Sequence, residues 1–169
     1  PHLVTDGTSY GIVIEVFSGL VKLGGNPNEP IEPDLAESWK ILDDGKTYEF
    51  KLRENLKFSN GENVTTEDIK WSLERAAHPD TGSTVVEEFL GDIVGIKDII
   101  EGNSNNAEGI TIIDDEIIQI KIDAPKAYFL AKLTYPTAFI VNKQNINEGG
   151  RNWTDNPIST GPFTLKEYK

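Results

Sequence analysis

From Thr47 to Leu52 the side chains alternate strictly, with Tyr48, Phe50 and Leu52 apolar against Thr47, Glu49 and Lys51 polar. A period of two marks a strand with one buried and one wet face, so this chain must build a sheet and cover it. Asp43-Asp44-Gly45 precedes the strand and marks a hairpin turn back to the segment carrying Trp39, with Gly45 expected at positive φ. Leu56 and Phe58 continue the alternation to a second turn at Asn60-Gly61. Thr65 then reads as a helix N-cap whose hydroxyl takes the amide of Asp68, with Glu67 and Asp68 at the positive end of the helix dipole. Thr66, one position on, makes no cap bond and is expected to be replaceable. Ile69, Leu73, Ala76 and Ala77 form the inner stripe, and His78-Pro79 ends the helix because a residue before proline avoids the α region.

The rest of the chain is weaker in signal. Residues 9–20 place Ile12, Val16 and Leu20 at helical spacing beside Val13 and Phe17, which predicts an amphipathic helix ending near Gly19. A turn follows at Gly24-Gly25-Asn26-Pro27-Asn28. Residues 85–90 and 93–100 read as short helices. Residues 110–112 and 118–122 alternate around Asp114-Asp115-Glu116 and predict a second hairpin. Pro125 is expected to open a short helix carrying Phe129, Leu130 and Leu133, followed by a strand at 137–141, a polar stretch through Asn156 and a closing strand at 163–165. The expected class is α+β, with a mostly antiparallel sheet and helices on one face.

With 16 basic and 28 acidic residues the net charge is −12, and there is no basic run. Nucleic acid is excluded as a partner, since cations must replace the phosphate counterions, and anionic membrane surfaces are disfavoured for the same reason. The absence of cysteine rules out disulfides, thiol nucleophiles and cysteine zinc sites. Apolar runs such as residues 11–17 are too short for a helix that spans a bilayer. The start, Pro1-His2-Leu3-Val4-Thr5-Asp6, lacks the basic beginning and apolar core of a secretory signal, so such a signal is expected to have been removed or the chain to be an excised piece.

Asp43-Asp44 and Asp114-Asp115-Glu116 each offer paired carboxylates, but both fall on hairpin turns, where Asp bonds its own backbone. Glycoside hydrolysis needs two carboxyls facing each other across a substrate, and a calcium loop needs alternating acids with a glycine; neither pattern is present. His2 and His78 are the only imidazoles and stand alone, so no metal and no catalytic triad is expected. Trp39 and Trp71 fall on interior-type positions and are expected in the core, while Trp153 lies in a polar stretch and has no assigned role.

Three ordered runs carry a resemblance: Pro33-Asp34-Leu35-Ala36-Glu37-Ser38-Trp39, the hairpin from Asp43 to Arg53, and Lys57-Phe58-Ser59-Asn60-Gly61-Glu62-Asn63-Val64-Thr65-Thr66-Glu67-Asp68-Ile69. Phe17-Ser18-Gly19-Leu20-Val21, Ser72-Leu73-Glu74-Arg75, Pro125-Lys126-Ala127-Tyr128-Phe129-Leu130 and Thr160-Gly161-Pro162-Phe163 add to it in the right order. Together they resemble the family-5 extracytoplasmic solute-binding proteins of the oligopeptide, dipeptide and nickel ABC importers. Ser18 replaces an acid usual in that family, and Ser159 a glycine.

The resemblance implies part of a type II periplasmic-binding-protein fold lacking its second lobe. Residues 1–36 and 158–169 would belong to the first ligand-binding lobe, and 37–157 to a small accessory domain with its own core. Phe163 and Leu165 would return to the helix of Val13, Val16 and Phe17. The resemblance further implies no enzyme activity, no cofactor, and capture of a peptide or other small solute by lobe closure, followed by docking on ABC permease subunits. The location would be the periplasm or cell surface, with membrane contact only through a lipid anchor. Ligand contact falls by the same resemblance on Val4, Thr5, Asp6 and Gly7, through main-chain hydrogen bonds as in strand addition, with Asp6 pairing a ligand amino group. Val85 stands where many peptide-binding members have an aromatic residue. The rival readings are a glycoside-hydrolase-associated domain, which needs carboxylates converging in a cleft, and a protein-interaction domain, which needs a large exposed apolar patch.

Overall fold

A computed structural model describes residues 1–42 and 44–166. The alternating segment forms β4 (Thr47–Leu52), the second of four strands in an antiparallel sheet ordered β3-β4-β6-β5, with β3 at Ala36–Ile41, β5 at Ile110–Ile112 and β6 at Ile117–Lys121. Residues directly opposite in such a ladder share a face. Phe50 stands opposite both Trp39 and Ile118, and Tyr48 opposite Ile120, so one face is a continuous apolar surface. Phe50, Ile118 and Ile120 are fully buried there. The other face pairs Glu49 with Lys40 at 2.7 Å and with the Gln119 amide at 2.8 Å.

Helix α2 (Thr66–Ala77) covers the apolar face with Ile69, Leu73, Ala76 and Ala77. Its start is a full capping box, in which Thr65 Oγ1 accepts from Asp68 N and the Asp68 carboxylate accepts from Thr65 N at 2.9 Å. Two short helices, α3 (Val86–Leu90) and α4 (Ile96–Ile100), pack beside α2 and complete the layer. Gly45 sits at φ 66° and Gly61 at φ 90°, as the two turns require. Buried Asp92 holds Lys126 at 2.7 Å and Lys132 at 2.8 Å, fastening the chain after β6 to the α3–α4 connection. Thr66 makes no cap bond, but it is buried, and its hydroxyl donates to the Asp114 carbonyl at 3.2 Å, joining the helix start to the β5–β6 turn.

Several expected elements change. Helix α1 runs over Gly7–Val16 instead of 9–20, and it buries Val16 alone while Ile12 and Ile14 are exposed. At Phe17 the backbone is extended, and Gly19 then passes so close to Phe139 and the Leu133 carbonyl that a Cβ would meet them at 3.0 and 3.3 Å. Around the 24–28 turn lies an unexpected two-stranded ribbon, β1 (Val21–Asn26) with β2 (Glu29–Pro33). The helix after Pro125 is α5 (Phe129–Lys132), beginning four residues later than that proline.

The expected strand at 137–141 is absent. A 3-10 turn at Pro136–Ala138 leads into buried extended chain whose partners are scattered: Ile140 N donates to Ser18 O, and Ser72 Oγ both accepts from Val141 N and donates to its carbonyl. The polar stretch is helical, with α6 (Lys143–Gly149) capped by Asn142 and a 3-10 segment over Gly150–Asp155. Residues 163–165 form no strand either, since the chain there runs beside the end of a helix and not beside a sheet edge. Gly161 N and Phe163 N donate to the carbonyls of Val16 and Glu15 at 2.8 and 3.0 Å. A Cβ on Gly161 would stand 2.5 Å from the Val16 carbonyl carbon, so only glycine allows this approach.

Leu165 joins Val13, Val16 and Phe17 in a second small core with Phe139, Val141 and Trp153, as the return of the chain implied, while Phe163 is exposed. The main core also takes in Leu20, Val21, Leu35 and Ala36, so side chains from 1–36 finish a core that 37–157 mostly builds.

Candidate ligand-binding segment

Residues 4–7 form the entry to α1, and Asp6 is its N-cap. With φ −125° and ψ 155°, Asp6 is extended, and its Oδ1 accepts the amides of Thr8 and Ser9 at 3.0 Å each. Those bonds, Ser9 foremost, pull its carboxyl below the ordinary range. The carboxylate also offsets the positive end of the helix dipole. The cap displaces the expected helix start by two residues, and an Asp followed by Thr and Ser was a legible signal for it.

Val4 is buried, and both its main-chain groups are engaged internally: its N–H donates to Pro1 O at 3.0 Å, and its carbonyl accepts the Tyr135 hydroxyl at 3.1 Å. The Tyr135 ring lies flat on Phe89, with centroids 3.8 Å apart and an interplanar angle of 2°. Thr5, Asp6 and Gly7 are exposed, and a Cβ on Gly7 would meet nothing within 4 Å. Among the described residues, none pairs with the amide or carbonyl of Thr5. The candidate residues therefore divide. Val4 anchors, and 5–7 are exposed, with the main-chain groups of Thr5 unpaired among the described residues while the Asp6 carbonyl accepts the Tyr10 amide at 3.0 Å.

Just upstream, His2 is buried between the Arg75 guanidinium and the Phe139 carbonyl, each 2.9 Å from a ring nitrogen. Tyr135, Arg75 and His2 were not singled out as supports of this segment from the sequence, because each acts across a long loop. His78 caps instead: its Nδ1 accepts the amide of Asp80 at 3.2 Å. Trp153 meets Phe17 edge-on at 6.0 Å and carries Arg75 over its face at 5.9 Å. Trp39 is half-buried against the main core and Trp71 against the second. Val85 is half-buried just before α3.

The carboxylate clusters hold turns. Asp44 accepts from Thr47 Oγ1 and from the amides of Lys46 and Thr47, and these bonds, the hydroxyl first, bring its pKa to about 2. Asp43 lies outside the described residues. Asp114 Oδ1 accepts the amides of Glu116 and Ile117 at 2.8 Å each. Among the described residues, no three acidic or imidazole side chains gather as a metal site.

A cleft of about 690 Å³ opens on the other flank of α1, lined by Tyr10, Ile14, Phe17, Leu23, Asp34 and Arg53 among others. Burial raises the Asp34 carboxyl despite a hydrogen bond from Ser18. None of residues 4–7 lines it, so this cavity and the candidate segment are separate features.

The sequence pattern described as bacterial extracellular solute-binding proteins, family 5 Middle, matches residues 30–169. The chain belongs to that family. It is similar to the dipeptide-binding protein DppE of Bacillus subtilis, 32% identical over all of this chain and 31% of the relative. It is similar also to the probable deoxycholate-binding periplasmic protein YgiS of Escherichia coli, 31% identical over 99% of this chain and 32% of that protein. Among solved structures, a periplasmic oligopeptide-binding protein of Borrelia burgdorferi superposes with a TM-score of 0.91 at 36% identity, over 99% of this chain and 34% of the other. This family-5 chain thus spans about a third of the length of the relatives it matches. Its mixed helix and antiparallel sheet is part of the type II solute-binding fold, and these relatives are named as binding proteins.

Proposed function

We propose that this chain supplies one wall of a peptide-capturing protein that serves an ABC importer outside the cytoplasm. The observation that carries the reading is the exposed main chain of Thr5–Gly7, whose Thr5 groups are unpaired among the described residues, beside the Asp6 carboxylate. An extended peptide can pair with such an edge in the manner of strand addition. Because Asp6 already offsets the helix dipole, the segment favours a ligand amino group over a carboxylate. The names of DppE and of the Borrelia protein support a peptide.

In this reading, 1–36 and 158–169 belong to the first lobe and 37–157 to the accessory domain, with the last three residues of the second segment outside the described ones. Five of the eight exposed large apolar side chains among the described residues, Leu3, Ile12, Ile14, Leu23 and Phe163, lie on those lobe segments. That distribution fits a lobe face awaiting cover. Closure of a second lobe over the ligand would produce the form that docks on the permease. Lipid anchoring of the longer protein belongs to the same proposal.

Asp6→Asn provides the test, since Asn caps a helix about as well as Asp but carries no charge. In the longer protein that carries this chain, Asp6→Asn is expected to weaken trialanine binding about tenfold or more, the size of a lost charge-assisted bond. N-acetylated trialanine should bind the two proteins alike. Equal calorimetric affinities of wild type and Asp6→Asn for trialanine would refute the Asp6 role. The resemblance to YgiS supports a second reading, an amphipathic acid as ligand. Tighter binding of deoxycholate than of any peptide would establish it.

A further inference from the structure

The segment that presents Thr5, Asp6 and Gly7 is held in place by residues far away in sequence. His2 is 2% exposed. Its Nε2 stands 2.9 Å from the Phe139 carbonyl oxygen and its Nδ1 2.9 Å from Arg75 Nη1. A carbonyl can only accept and a guanidinium can only donate, so the proton resides on Nε2 and Nδ1 is bare. The ring is thus a neutral link between two fixed partners. Burial above all, with the charge of Arg75, keeps it from protonating in its ordinary range. Arg75 comes from α2 and rests on the face of Trp153. Two residues on, the Tyr135 hydroxyl takes the Val4 carbonyl.

We propose that His2 is a positioning residue for the ligand segment: wedged between Arg75 and Phe139, it fixes the main chain at buried Val4 and so holds exposed Thr5 and extended Asp6 at the entry to α1. The positioning follows from the geometry alone; its value for capture rests on the peptide reading above. The α1 cap cannot do this work, since the Asp6 bonds to Thr8 and Ser9 are local and hold the helix start to itself.

The test separates the two parts. In the 169-residue chain, ¹⁵N-labelled histidine should show His2 as the Nε2–H tautomer with an unprotonated Nδ1. His2→Phe keeps a buried ring and removes both bonds. Hydrogen exchange at Val4 should then quicken about tenfold, with the β4 amides unchanged. His2→Gln, which can donate to Phe139 and accept from Arg75, should restore protection. Unchanged exchange in His2→Phe, equal quickening in β4, failure of Gln to restore, or the opposite tautomer would each overturn the proposal. In the longer protein, His2→Phe should weaken trialanine binding as Asp6→Asn does. If the segment loosens while neither variant alters trialanine binding, positioning stands and the peptide reading fails.

Discussion

Thr65 and Thr66 are neighbours with the same side chain and different physics. Thr65 caps α2 in a local bond, whereas the Thr66 hydroxyl is buried and reaches the Asp114 carbonyl 48 residues away. Thr65→Ala is expected to cost about 1 kcal/mol by freeing a helix amide. Thr66→Ala should also cost about 1 kcal/mol, since it removes a part-buried hydrogen bond that ties the helix start to the β5–β6 turn. Urea midpoints measure both, and a Thr66→Ala midpoint equal to wild type would show that the bond to Asp114 contributes nothing. The cap was legible in the sequence because its partner lies three residues off. The bond to Asp114 was not, because it depends on where α2 lands on the sheet. His2 shows the same divide: as a lone histidine it carried no signal, and folding alone placed Arg75 and Phe139 around it.

At the scale of elements, the two hairpins were plain from alternation, and their turns are built by Asp44 and Asp114 accepting nearby amides. Asp44 gives a test with a definite sign. Its pKa is depressed from 3.8 to about 2, so the folded state binds this proton less readily than the unfolded chain. Its stabilising effect is present above the ordinary value and is lost as pH falls through about 2. Asp44→Asn, which can still accept amides, should make the decline in urea midpoint across that acid window shallower. An identical decline in both proteins would mean that the turn bonds do not favour the ionised form. Two of the elements that were misread share one cause. The 137–141 stretch is as apolar as a strand, yet it is bonded piecemeal to Ser18 and Ser72, and α6 has only Ile146 to mark an inner side. Periodicity reports a face, and neither segment has a regular one.

For the whole molecule, the decisive contact is the return of 159–165 to α1, with Gly161 against Val16 and Leu165 in the core beside Phe17. It brings the two ends of the described chain together and leaves Ile12, Ile14, Leu23 and Phe163 uncovered. If these segments are one wall of a two-lobed site, the 169-residue chain alone should bind trialanine no better than about millimolar, since one wall cannot bury a ligand. Calorimetry finding micromolar affinity for this chain would disprove the need for a second wall. The sequence by itself determined the antiparallel sheet, the capped α2, both turns and the family, because these rest on alternation, helical spacing and bonds within a few residues. Only the tertiary structure decided that Val4 is an anchor while Thr5–Gly7 stand open, and that His2 and Tyr135 hold them. Those roles come from contacts spanning more than a hundred residues, and no local pattern encodes which distant groups a folded chain will bring together.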